Sequence, residues 1–210
     1  STNSLAYAKS KAEELGIESI EFMQADILSL SELGQRFDII ECSGVLHHME
    51  SPMAGWERLK DLLKPGGLMK VGLYSTFARK HIRKLREEIT KLKVGVDAKS
   101  LRSFRQTIMK SSISHRAKLH SVMDLYSLSE FRDLLFHVKE HQFSIPQIKE
   151  CLVNLDLSFC GFDNERVIRK FKKKFEHPND LYDMDKWNAL EKENTDLFAN
   201  MYQFWCQKAI

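Results

Sequence analysis

No apolar run in the 210 residues approaches the roughly 20 that a membrane-crossing helix needs, and nothing near the start has the basic, apolar and small-residue succession of a signal peptide. Both absences argue for a soluble protein. Cysteine is scarce: Cys42, Cys151, Cys160 and Cys206 are too scattered for a CxxC metal knuckle, and they set the expectation of a reducing, cytoplasmic location. A charge of one sign is missing too. The 32 Lys and Arg against 29 Asp and Glu leave a net charge of +3, too mild to argue for nucleic acid. Internal repeats and low-complexity blocks are absent. What is present, 43% hydrophobic and 29% charged residues, suffices for one sizeable core with an appendage.

The chain opens on "STNSLAYAKSKAEELGI", where Leu5, Ala8, Ala12 and Leu15 recur at helical spacing, Ser1 to Ser4 supply capping groups and Gly16 ends the run. "IESIEFMQADIL" alternates Ile20 and Phe22 with polar neighbours, which predicts a strand over 20–25 running into a loop at Asp26. "FDIIECSGVLHHM" predicts a second strand from Phe37 that ends in the small residues Cys42, Ser43 and Gly44. "SPMAGWERLKDLL" is a helix with Ser51 as cap and Pro52 at its first position, and "LMKVGLYS" is a third strand after the KPGG break. Helix and strand thus alternate through residue 75, which implies parallel strands joined by right-handed crossovers in a doubly wound α/β sheet.

Further on, 76–92 carries Phe77, Ile82, Leu85 and Ile89 on one helical face. Residues 93–123, polar and serine-rich, read as a connection or a helical insertion. "SLSEFRDLLFHV" and "SIPQIKECLVNLD" read as capped helices and "LSFCGF" as a strand. The tail from 165 is mostly helical in pattern, although "YQFWCQK" reads equally well as a last strand.

In an open parallel sheet, ligands sit beyond the carboxyl ends of the strands. The candidate positions are therefore Asp26 and Ile27, Cys42 to His48, and Tyr74 to Phe77. An acid followed by a backbone N–H offers an acceptor for an exocyclic amine and a donor for a ring nitrogen, which together match an adenine edge. Small residues at the second position let the backbone approach a ligand closely.

"QADIL", "FDIIECSGVLHHM", "LLKPGG" and "LMKVGLYS", in this order and spacing, resemble the back half of a class I S-adenosylmethionine-dependent methyltransferase, of the small-molecule type whose fourth strand ends in Leu-His-His. The resemblance implies an α/β fold built on a partial Rossmann-like methyltransferase sheet, with its first two strands missing and a mostly helical C-terminal elaboration. It divides the chain into a truncated methyltransferase core (1–92), a helical insertion or cap (93–144), a later helix and strand of the core (145–164) and a C-terminal helical extension (165–210). By the same resemblance Asp26 accepts the adenine amino group, Ile27 offers its N–H, and Cys42, Ser43 and Gly44 lie along the methionyl part of the cofactor, S-adenosylmethionine. His47 and His48 face the acceptor, with His48 the preferred candidate base. Each role has a plainer counterpart. Asp26 also suits a cap for the turn that follows it, and paired histidines at a strand end also serve as packing and orienting groups.

The family's first strand, its GxGxG loop and the acid that binds the ribose have no counterpart in these residues, since Gly66 and Gly67 precede a strand and Gly44 stands alone. Two expectations follow. The strands at 20–25 and 37–43 pair directly, or an exposed strand edge pairs with a second copy in a homodimer. These 210 residues alone bind S-adenosylmethionine weakly or not at all. The expected activity is methyl transfer to a small-molecule acceptor, and the alternative is a non-catalytic binding or dimerisation protein on a remnant of the fold. Two further patterns carry less. His137 and His141 share a helical face without a third metal ligand. "RKFKKKF" interleaves basic and aromatic residues as nucleic-acid surfaces do, but acids surround it.

Overall fold

The computed structural model describes residues 2–137, 139–199 and 201–210. The first helix, α1 (Thr2–Glu14), stops at Gly16, whose φ of 65° is the left-handed conformation that glycine adopts without strain. The part of its expected cap that falls on Ser1 lies outside the described residues. Of the anticipated apolar stripe only Ala12 is buried, while Leu15 is 69% exposed.

The strand expected at 20–25 is absent. Residues 20–26 carry no regular structure and lead into a short 3-10 helix, Ile27–Leu33. A strand persists only where its N–H and C=O groups meet a partner ladder. This stretch does not reach β1 (Phe37–Ser43), so direct pairing of the two segments is not what the chain does. β1 pairs with a single strand and forms one edge of the sheet.

The crossover from β1 is α2 (Pro52–Asp61), where the Ser51 side chain accepts the Ala54 N–H and Trp56 and Leu59 point into the core. It returns to β2 (Leu63–Leu73), parallel to β1, with Cys42 opposite Val71 and Ser43 opposite Gly72. The expected parallel pair is therefore present.

Helices fill the middle of the chain: α3 (Lys80–Leu92), α4 (Ala98–Met109), α5 (Ser114–Ala117) and α6 (Leu128–Phe136). They enclose a core of their own, with Ile82, Leu85, Phe104, Ile108 and Phe131 at its centre. Helix α3 begins at Lys80 and not at Thr76, because Ser75 Oγ accepts the Phe77 and Ala78 N–H groups and holds a tight turn before it. No described helix is long and apolar enough to cross a membrane.

The chain then returns to the sheet through α7 (Ile145–Asn154), capped by a reciprocal Ser144 and Gln147 box, and β3 (Leu157–Phe162). α8 (Glu165–Lys172) and α9 (Met184–Glu193) follow, and the last strand is β4 (Tyr202–Lys208). Of the two readings of "YQFWCQK", the strand is correct: Tyr202, Phe204 and Cys206 are all fully buried, a period of two. β4 lies antiparallel between β2 and β3, giving the order β1-β2-β4-β3. The main core joins this sheet to α2, α7, α8 and α9, with Trp187 stacked on Phe171 at 3.9 Å. Of the aromatics of "RKFKKKF", Phe171 is fully buried in this core and Phe175 packs against it half-buried, with Lys174 5.6 Å from its ring.

Candidate active site

Because β1 and β2 run parallel, the loops beyond their carboxyl ends converge. Their ends approach closely at Gly72, where a Cβ would stand 2.9 Å from the Ser43 Cα and 2.8 Å from the Met201 sulfur. The Ser43 backbone cannot swing away as a side chain would. Gly72→Ala is accordingly expected to cost about 1–3 kcal/mol in urea unfolding through forced separation of the two strands. A variant with an unchanged midpoint and slope would show that the strand ends part freely.

Beyond Ser43, Gly44 turns the chain at φ 78° and donates its N–H to the Gly72 carbonyl at 3.3 Å. A short 3-10 helix, Leu46–His48, then presents the two histidines in different environments. His47 is completely buried, its ring 4.0 Å from that of Tyr74 and 4.4 Å from that of His48. Neither of its ring nitrogens reaches hydrogen-bond geometry with a partner among the described residues, although the Gly72 backbone lies near enough to favour the charged ring slightly. Burial, with a smaller push from His48, lowers its pKa to about 4, which favours the neutral ring near pH 7.

His48 is half-buried, and its Nδ1 lies 2.9 Å from the Lys139 carbonyl oxygen. A carbonyl only accepts, so the neutral ring carries its hydrogen on Nδ1 and keeps a lone pair on Nε2. The His137 ring packs 4.0 Å from it. His137 therefore sits beside His48, just past the end of α6 and not on a helical face shared with His141. No group of three or more potential metal ligands exists among the described residues.

Residues 139–143 lie across both loops as a strap. His141 N–H donates to the His47 carbonyl and Phe143 N–H to the Tyr74 carbonyl, each at 2.8 Å, and Lys139 pairs with Glu50. Within the strap, Glu140 accepts from Arg79 at 2.8 and 3.3 Å and from Arg86 at 2.9 Å. The Arg79 guanidinium lies 3.6 Å from the centre of the Tyr74 ring, in cation–π contact. One chain of contacts therefore runs from Glu140 through Arg79 and Tyr74 to His47 and His48.

The expected cofactor positions come together only in part. Ile27, Cys42 and Ser43 line one cavity of about 640 Å³ along β1, with Met23, Ile40 and Val45 among its other walls. Asp26 and Gly44 are not among its walls. Asp26 Oδ1 accepts the Leu28 N–H at 2.9 Å, so this oxygen caps the turn that follows. Burial pushes the Cys42 thiol up to about 11, which keeps it protonated and unreactive. The volume and apolar lining fit the purine end of an adenosyl group, for which cavities of about 300–1,000 Å³ are usual. Glu41 is the carboxylate in the lining, and Ser43 Oγ donates to it at 3.4 Å.

Sequence reasoning missed Arg79 and Glu140. A signal for them exists in the sequence: Arg79, Arg83 and Arg86 fall on one face of α3, a cationic stripe that needs an acid when it packs inward.

A family model described as a methyltransferase domain matches residues 1–127. An uncharacterized protein of Synechococcus sp. is 27% identical over 173 residues, which are 78% of this chain and 41% of that protein. The ubiquinone biosynthesis O-methyltransferase of Cereibacter sphaeroides is 37% identical over 62 residues, covering 30% of this chain and 25% of the enzyme. Among solved structures, PKMT2 from Rickettsia typhi superimposes on 99% of this chain and 42% of its own, with a TM-score of 0.62 at 18% identity. The same protein in complex with AdoHcy gives a TM-score of 0.60 at 17% identity. The chain spans 41% of the Synechococcus protein and 42% of PKMT2, about two fifths of each. With the family match covering more than half of its residues and the sheet carrying the expected parallel pair, the chain belongs to the methyltransferase-domain family, of the class I S-adenosylmethionine-dependent type that its motif order resembles.

Proposed function

We propose that these residues form the acceptor-facing part of an S-adenosylmethionine-dependent methyltransferase acting on a small molecule, with His48 as the base that takes the acceptor's proton. The observation that carries this reading is the hydrogen bond between His48 Nδ1 and the Lys139 carbonyl, which leaves Nε2 able to accept. The likeness to the Cereibacter O-methyltransferase favours a hydroxyl as the acceptor group. When bound, the cofactor supplies a methyl group already activated on a sulfonium, so the protein's tasks are alignment and proton removal. Ile27, Cys42 and Ser43 wall the adenosyl side, Lys139 fixes the tautomer of His48, and Tyr74 with His47 holds the base from behind.

A second reading, a protein that pairs through its strand edge, draws on the outer edge of β1, where Ile39 is 59% and Phe37 36% exposed. The two readings separate experimentally. Without the glycine-rich loop and the ribose acid, two or three charge-assisted contacts are lost at about 1.5–3 kcal/mol each, which weakens cofactor binding by roughly two to six orders of magnitude. Calorimetry with AdoHcy on these 210 residues is therefore expected to show no micromolar binding. The chain reconstituted with a glycine-rich strand-loop unit and a ribose-binding acid ahead of residue 1 is expected to bind it and to transfer labelled methyl groups. A dimer in sedimentation velocity that stays inert after such reconstitution would support the second reading instead.

A further inference from the structure

Three polar side chains outside the site just described are completely buried together: Ser75 just beyond the carboxyl end of β2, Glu191 on α9 and Tyr202 at the start of β4. Glu191 Oε1 accepts the Ser75 hydroxyl at 2.6 Å, and the Tyr202 hydroxyl stands 2.7 Å from both carboxylate oxygens. No lysine or arginine pairs with Glu191 among the described residues. A buried carboxylate without a counter-cation is costly to keep. Burial raises its pKa, and the two hydroxyl donors oppose the rise.

What this carboxylate fixes is the Ser75 hydroxyl, which has one hydrogen and two lone pairs. With the hydrogen committed to Glu191, Ser75 Oγ keeps both lone pairs for the Phe77 and Ala78 N–H groups, each at 3.2 Å. An amide at position 191 would present an NH2 that competes for one of them. The same Ser75 turn is the seat of the strap. On one side of Ser75 the Tyr74 carbonyl accepts the Phe143 N–H, and on the other the Thr76 N–H donates to the Phe143 carbonyl, both at 2.8 Å. The Ser75 carbonyl accepts the Arg79 N–H at 3.0 Å, and the Arg79 side chain binds Glu140 of the strap. The first residue of the strap, Lys139, places its carbonyl on His48 Nδ1. Ser75 therefore links a C-terminal helix to the histidine of the acceptor side.

We propose that Glu191 is a positioning residue of the acceptor site: through Ser75 it holds the strap in the place that keeps the His48 hydrogen on Nδ1. This rests on the reading of His48 as the base, but the coupling itself is observable without catalysis. The test follows the imidazole nitrogen signals of His48 in the 210-residue chain at alkaline pH, where they report which nitrogen carries the hydrogen. The Nδ1–H form is expected to dominate in the parent. Glu191→Gln is expected to lower the ratio of Nδ1–H to Nε2–H about fivefold, as the loss of one net hydrogen bond does. Ser75→Ala breaks the link from its other end and is expected to do the same, so the readout survives if Glu191→Gln does not fold. Tyr202→Phe leaves the Ser75 bond in place, and Val167→Ala only thins the core beneath α8. Both are expected to lower the thermal midpoint and keep the parent ratio. An unchanged ratio in folded Glu191→Gln and Ser75→Ala overturns the proposal, as does an equal fall in Val167→Ala or a parent without a dominant Nδ1–H form. In the chain reconstituted with a glycine-rich loop and ribose acid, Glu191→Gln is expected to lower kcat about fivefold with the KM for cofactor kept. A shifted ratio in a reconstituted chain that transfers no methyl group would remove the base reading and leave the coupling of Glu191 to His48 standing.

Discussion

Glu140→Ala is expected to lower the unfolding free energy by about 3–5 kcal/mol, the usual cost of breaking a buried ion pair from one side. The Glu140 side chain is 1% exposed and is the shared acceptor of Arg79 and Arg86. Its removal leaves Arg79, itself 9% exposed and packed over Tyr74, without a counter-charge. Arg86 suffers in addition, because its Nε is already buried without a partner. Glu140→Gln keeps the shape and the acceptor oxygen, so it is expected to lose less. Urea unfolding at fixed slope reads both variants.

The same carboxylate sets an acid dependence. Burial alone would raise its pKa, but the Arg79 charge and hydrogen bonds, helped by Arg86, outweigh burial and hold it below the ordinary 4.5. A group with a depressed folded pKa gives stability that is complete above the unfolded value and is lost as pH falls through the folded one. The parent is therefore expected to lose stability more steeply than Glu140→Ala below about pH 4.5, with the gap between them closing in acid. Parallel curves would remove the carboxylate from this account.

What the sequence made legible follows from how local each signal is. The parallel pair β1 and β2, the Ser51 and Ser144 caps and the strand at Leu157–Phe162 rest on periodicity and capping chemistry within a dozen residues. The segment 20–25 alternated as a strand does, yet a strand also needs a neighbour, and neighbours are not a local property. Phe77 matched a helical stripe, but Ser75 Oγ claimed the two N–H groups that would have begun the helix. Residues 139–143 were illegible for the opposite reason. Their role as a strap depends on backbone bonds to His47 and Tyr74, far away in sequence, and a backbone donor is the same in every residue but proline. Nothing local marks Glu140 as buried, because burial of a charge is written in its partners and not in itself.

That distinction between a residue and its surroundings governs the most demanding prediction, the separation of two adjacent histidines. In the chain reconstituted with a glycine-rich loop and ribose acid, His48→Ala is expected to slow methyl transfer by about 10²–10⁴, the range for loss of a positioned general base. The limb of its pH–rate profile that reports the base is expected to disappear as well. His47→Phe is expected to leave the rate within a few-fold. His47 makes no ring hydrogen bond among the described residues, and a pKa of about 4 makes it a weak base near pH 7. Phenylalanine keeps its contact with Tyr74 and removes two polar atoms whose unpaired burial costs about 1–3 kcal/mol each. The family resemblance already prefers His48, and the Lys139 carbonyl supplies a physical reason by fixing which nitrogen of that ring accepts. Comparable losses at both positions would mean that the pair acts by shape alone, and the general base would then have to be sought elsewhere on the acceptor side.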